Sequence, residues 1–126
     1  YSWSQVPTRE TIDGLQIVRP RYPMLPKVGG YFQSELMYPG VLHAARQIRR
    51  EFDFDLIDAH FAYPAGVVGT KLGKRLGKPV IITGRGEDIH RFPEAPVVGN
   101  RIRWAMQNAD QFVGVSQEIA DKMIRL

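Results

Sequence analysis

Two kinds of apolar spacing alternate along this chain. Short branched runs such as Leu56-Ile57, Val80-Ile81-Ile82 and Phe112-Val113 suit strands, and stretches whose apolar residues return every third or fourth position suit helices. The clearest helical stretch puts Val41, Ala45, Ile48 and Phe52 on one face, with His43, Arg46, Arg49 and Arg50 elsewhere. The spacing predicts strands over residues 15–19, 56–61, 79–83 and 111–115. It predicts helices over 41–52, 65–76, 100–109 and after Ser116. The unbroken run at 80–82 reads as a strand buried on both faces, as in a parallel sheet with helices on either side.

Breakers set the limits of these elements. Residues 1–14, with Pro7 and Asp13-Gly14, read as a loop, and Pro20 and Pro23 close the first strand. Residues 22–30 read as an irregular connection, and Pro39-Gly40 precedes the first helix. Pro64 suits the first turn of the second helix. Within that helix Gly66, Gly69 and Gly73 each cost about 1 kcal/mol relative to alanine, which close packing against the sheet would explain. Gly77-Lys78-Pro79 stops it, and residues 92–98, with Pro93 and Pro96, read as extended. Ser116 reads as an N-cap with Glu118 in the first turn, where the helix dipole favours an acid. Strand and helix alternating four times predict an α/β fold, a mostly parallel sheet flanked by helices with right-handed crossovers. There is no internal repeat, low-complexity tract or linker, so a single domain over 1–126 is expected.

Composition narrows this picture in a few places. With 126 residues, 44% hydrophobic and 24% charged, the chain has ordinary globular makeup. It starts at Tyr1 and stops inside a helical pattern, so it reads as a segment of something longer. No apolar run is long enough to cross a membrane. The absence of cysteine removes disulfides, thiolate chemistry and cysteine zinc sites, and points toward the cytoplasm. The net charge of +4 gathers at Arg46, Arg49 and Arg50 and at Lys71, Lys74, Arg75 and Lys78. These are either solvated helix faces or surfaces for phosphate or anionic lipid. Without exposed aromatics between them or a recognised motif, nucleic acid is not an expected partner. Trp3 and Trp104 read as packing residues.

The candidate chemistry lies where strands end, since ligands of open parallel sheets collect outside the carboxyl ends of the strands. His60, the loop from Gly84 to His90, and Ser116 fall there. His60 reads either as a general base, as a partner for a sugar or phosphate, or as a satisfied strand-end histidine. Asp58 shares its strand face, but two ligands without a third make a poor metal site. Arg85 suits a phosphate and Asp88 a substrate hydroxyl, or the pair forms a salt bridge shaping the turn. Gly84-Arg85-Gly86 is not a dinucleotide fingerprint, because Ile89 replaces the third glycine and no helix is expected directly after it. Phosphate-loop, nucleophile-elbow and zinc-protease motifs are absent.

Three blocks, Phe54-Asp55-Leu56-Ile57-Asp58-Ala59-His60-Phe61-Ala62-Tyr63-Pro64-Ala65-Gly66, Gly77-Lys78-Pro79-Val80-Ile81-Ile82-Thr83-Gly84-Arg85-Gly86-Glu87-Asp88-Ile89 and Ala109-Asp110-Gln111-Phe112-Val113-Gly114-Val115-Ser116, resemble the amino-terminal domain of family 4, GT-B type glycosyltransferases in order and spacing. The resemblance covers about the last two thirds of the chain. It implies a Rossmann-like domain on the acceptor side of a retaining hexosyltransferase. That enzyme would move a sugar from a nucleotide-sugar donor to a glycan or lipid-linked acceptor, in polysaccharide biosynthesis for instance, with no metal or cofactor beyond the donor as co-substrate. His60, Arg85, Gly86 and Asp88 match motif positions near the substrate cleft, and Ser116 matches the strand-to-helix junction. Many relatives carry histidine where Arg85 stands; an arginine there suits an anionic or phosphorylated group. By the resemblance, the family's first strand with its glycine-rich loop would lie before Tyr1, and the carboxyl-terminal, donor-holding domain with its E-x7-E pattern after Leu126. The segment alone would then be inactive. Competing readings are a noncatalytic Rossmann-like binding domain and a GT-B-shaped epimerase. The basic helices also suit a location at the inner face of an anionic membrane carrying a lipid-linked acceptor.

Overall fold

The computed structural model describes residues 5–126, so Trp3 lies outside the described residues. Residues 1–14, expected as loop, contain strand β1 (Arg9–Ile12), which pairs antiparallel with β2 (Leu15–Val18). Asp13 and Gly14 both have positive φ, the conformation that lets an Asp-Gly pair close a two-residue hairpin. The hairpin forms a sheet of its own. The predicted first strand therefore does not join the parallel sheet.

Helix α1 (Gln33–Glu51) begins eight residues before the expected start at Val41 and carries Pro39 inside it. Pro39 removes only one intrahelical donor, and tertiary contacts hold the early turns. Ser34 is buried against Tyr63, and Glu35 reaches Arg101 and Lys71 at 2.7 and 3.5 Å. Ala45 is buried and Ile48 partly so, but Phe52 lies past the helix end and is 66% exposed.

Burial alone would raise the Glu35 carboxyl, but hydrogen bonds from Ser34 and Arg101 outweigh it and leave the group below its ordinary value of 4.5. A depressed folded-state pKa adds stability that is complete above the ordinary carboxylate range and lost as pH falls through the folded value. Glu35→Gln is therefore expected to lose about 1 kcal/mol or less near neutral pH in urea unfolding, since the carboxylate is over a third exposed. The gap to the parent should close as the solution is acidified below that range.

Strand β3 (Ile57–His60), helix α2 (Val67–Leu76), strand β4 (Val80–Gly84), helix α3 (Glu87–His90), helix α4 (Pro96–Asn108), strand β5 (Gln111–Gly114) and helix α5 (Gln117–Ile124) complete the chain. The three strands are parallel in the order β3-β4-β5. This makes the fold a Rossmann-like α/β arrangement. Helix α2 starts later than expected because Tyr63, within the turn Ala62–Gly66, is extended. Residues 92–98, expected as extended, instead form the 3-10 turn Phe92–Glu94 and the start of α4. Pro96 is the first residue of α4, the position where a fixed φ and missing N–H fit best.

The glycines of the second helix pack as their cost implied. A Cβ at Gly69 would sit 3.0 Å from the Ala59 methyl, and one at Gly73 would run into Val80 and the Lys78 carbonyl. Helix α4 covers the same side of the sheet, with Ile102, Ala105 and Met106 in one core with Val80 and Ile82. Helix α5 adds Ile119 and Met123, which crowd Gly84. The other side of the sheet has no helix over it among the described residues. Burial in β4 therefore alternates, with Val80 and Ile82 buried and Ile81 and Thr83 partly open, and β5 also alternates. The expectation of strands buried on both faces is corrected to one covered face.

Candidate functional site

The uncovered face carries two cross-strand rows, Asp58-Ile81-Gln111 and His60-Thr83-Val113, set by the parallel register. Because side chains two apart share a face, Asp58 and His60 point the same way. His60 Nε2 lies 3.2 Å from an Asp58 carboxylate oxygen, and Thr83 donates its hydroxyl to the other at 3.4 Å. The Arg85 guanidinium donates to His60 Nδ1 at 3.2 Å. Since arginine can only donate, Nδ1 accepts and Nε2–H donates to Asp58. Asp58 thus fixes both the tautomer and the tilt of the ring. About half of the His60 and Asp58 side-chain surface stays open to solvent, so the cluster is within reach of a ligand.

Phe61 follows with φ +76° and ψ 128°, a conformation costing on the order of 1–3 kcal/mol for a residue with a side chain. Two main-chain bonds impose it, from Phe61 N–H to the Thr83 carbonyl at 2.9 Å and from Gly66 N–H to the Phe61 carbonyl at 2.8 Å. The strained residue presents its ring beneath the Arg85 guanidinium, 5.6 Å from the ring centre. His60 and Phe61 thereby brace Arg85 from two sides.

Asp88 is fully buried. Its carboxylate accepts from the main-chain N–H groups of Ala62 at 2.6 Å, Arg85 at 3.0 Å and Gly86 at 2.9 Å. In place of the alternative reading, an Arg85–Asp88 salt bridge, the carboxylate makes this main-chain clamp, and Asp88 faces no solvent from which to meet a substrate hydroxyl. Its part is to tie the exit of β4 to the exit of β3. Gly86, at φ +147°, starts α3, and its carbonyl accepts from Ile89 and His90. The expectation that no helix follows Gly86 is corrected, although α3 has a single turn and Ile89, at the position of the fingerprint's third glycine, is buried in the core. Ser116 caps α5 by accepting from Ile119 N–H at 3.3 Å. It stands past the end of β5, two strand spacings across the sheet from β3 and three residues beyond the row that holds His60.

Among the described residues no three metal-ligating side chains cluster, and no helix is long and apolar enough to cross a membrane. Of the residues singled out in sequence, the structure joins His60 to Arg85, puts Gly86 and Asp88 beneath them as framework, and leaves Ser116 apart. Phe61 escaped notice; its signal was an aromatic directly after a strand-end histidine. A sequence model described as Glycosyltransferase Family 4 matches residues 3–126, nearly the whole chain. The chain belongs to Glycosyltransferase Family 4. A search of curated proteins gave no match. Membership carries a glycosyltransferase-type function in general terms, with binding of sugar nucleotide and acceptor, and the polar edge at β3 and β4 is where this family 4 chain concentrates reachable hydrogen-bonding groups.

Proposed function

We propose that this chain is the acceptor-side half of a retaining glycosyltransferase that transfers a hexosyl group from a nucleotide-sugar to a glycan or lipid-linked acceptor, without a metal. The observation that carries the reading is the braced pair His60 and Arg85, exposed at the carboxyl ends of β3 and β4. A guanidinium held by an imidazole and a ring face is pre-oriented, so little order is lost when it meets an anionic or hydroxylated group. Its contribution is positional and electrostatic, fixing the acceptor while charge develops on the leaving diphosphate elsewhere. In this reading Asp88 and Gly86 shape the loop and Ser116 holds α5 at the same edge. The exposed basic residues Arg46, Arg50, Lys74 and Arg75 supply peripheral contact with an anionic membrane surface. Arg49 and Lys78 already pair with Asp53 at 3.3 and 2.9 Å.

The test is sugar transfer by the full-length protein across a panel of nucleotide-sugars, with anionic vesicles present or absent at low salt. Arg85→Ala is expected to raise the acceptor KM about tenfold or more, the loss of one charge-assisted contact, with the donor KM unchanged. Transfer from no nucleotide-sugar would refute the reading, and so would tight donor binding by this chain alone in calorimetry. Indifference to the vesicles would remove its membrane part.

A further inference from the structure

A second feature opens beside the same strand ends, on the helix side of the sheet. The turn from Gly30 to Gln33 and the segment from Arg91 to Val98 enclose a cleft of about 560 Å³, within the roughly 300–1,000 Å³ of small-molecule sites. Two of its walls are rings standing at right angles. Tyr63 and Phe92 meet edge to face, with centroids 6.3 Å apart and planes at 87°. Tyr63 is buried, and its hydroxyl donates to the Gly30 carbonyl at 2.8 Å, so it is fixed as a wall. Tyr31, half exposed, adds a third ring. Gln33, whose amide N–H also donates to the Tyr22 hydroxyl at 3.0 Å, Arg91 and Glu94 are its polar lining, with Ala95 and Val98 apolar. Arg91 is held only by Glu87 at 3.3 Å, both more than two thirds exposed, a pairing worth little in water.

We infer that this cleft binds one sugar ring of the acceptor, a reading that rests on the acceptor-side assignment above. The C–H face of a pyranose is slightly positive and suits the negative face of an aromatic ring. Its hydroxyl edge suits the planar donors and acceptors of Arg91, Glu94 and Gln33. A hydrocarbon tail would strip water from those three polar groups and return nothing. A phosphate would meet the Glu94 carboxylate. Tyr63 lies three residues beyond His60, and Arg91 directly follows α3. The lining of the cleft thus comes from segments that continue β3 and β4 past their carboxyl ends, on the opposite side of the sheet from the His60 side chain.

The test is chemical-shift mapping on the isotope-labelled full chain, titrated with the methyl glycosides of glucose, galactose, mannose and N-acetylglucosamine, and separately with octanoate. The expected result is saturable shifts at Tyr31, Phe92 and Val98 with at least one glycoside and none with octanoate. Phe92→Ala should weaken that binding about tenfold, and Phe92→Tyr, which keeps the ring, should restore it. Shifts with octanoate alone, or with no probe, would overturn the inference. In the full-length protein, transfer whose acceptor KM is unmoved by Phe92→Ala would overturn it while leaving the glycosyltransferase reading intact. Glycoside binding in the cleft without any transfer would do the reverse.

Discussion

Asp88→Ala is expected to lower the stability of the chain by about 3 kcal/mol, because it leaves three main-chain donors, on Ala62, Arg85 and Gly86, without their acceptor at about 1 kcal/mol or more each. That is a large share of the roughly 5–15 kcal/mol available to a typical domain. The carboxylate holds the segments after β3 and β4 together, so the same change frees the loop that braces Arg85 against His60 and Phe61. Transfer activity should fall even where the variant remains folded. Asp88→Asn keeps one acceptor oxygen and should fall between variant and parent in urea unfolding. If Asp88→Ala unfolds at the parent's midpoint, the clamp does not hold the site.

Gly73→Ala should cost about 2 kcal/mol. Alanine favours a helix over glycine by about 1 kcal/mol, but the added methyl has no free space. It would meet the Val80 side chain and, at 2.7 Å, the Lys78 carbonyl oxygen. Relief requires moving main chain at the entrance to the central strand, and overpacking of that kind costs about 1–3 kcal/mol and occasionally more. Gly69→Ala meets the Ala59 methyl at 3.0 Å, and Gly66→Ala meets Ile82 side-chain atoms at 3.1 and 3.3 Å and the Phe61 carbonyl oxygen at 3.2 Å, shortfalls of a few tenths of an ångström that small shifts of the neighbouring segments relieve. In them the helix gain and the packing cost should nearly cancel. Thermal unfolding of the three variants checks this ranking, and equal losses at all three would contradict it.

Much of this architecture was legible because local signals and tertiary packing agree along most of the chain. Ile102, Ala105 and Met106 recur at helical spacing and are buried together. Gly69 and Gly73 in the second helix and Gly66 just before it advertise a close approach, and Ser116 caps the helix that follows it. The misreadings arise where a local signal was outweighed or unused. Pro39 looked like a helix boundary, but Ser34 and Glu35 on the preceding turn are anchored to Tyr63, Arg101 and Lys71. Those partners are 29 or more residues away, and no local window contains them. Pro96 carries the local signature of a breaker, although proline begins a helix equally well. Ile81 looked like the middle of a doubly buried strand, but hydrophobicity alone does not reveal whether a second layer is present. At the site, the side-by-side placement of Asp58 and His60 followed from strand periodicity. The Asp88 clamp did not, because an aspartate reaching back to Ala62 leaves the same trace in sequence as one facing water.

The uncovered side of the sheet also bears on how this 126-residue chain, taken by itself, behaves in bulk solution. Parallel sheets are ordinarily covered on both faces, yet here Val113 and Val115 stand about half exposed and Ile81 is partly open on the surface that makes His60 reachable. Colloidal behaviour and site access therefore share the same few side chains. A polar replacement such as Val113→Lys would keep the chain dispersed at higher concentration, and it would set a new cation in the row that holds His60 and Thr83. Solubility engineering on this face cannot be separated from changing the electrostatics of the site.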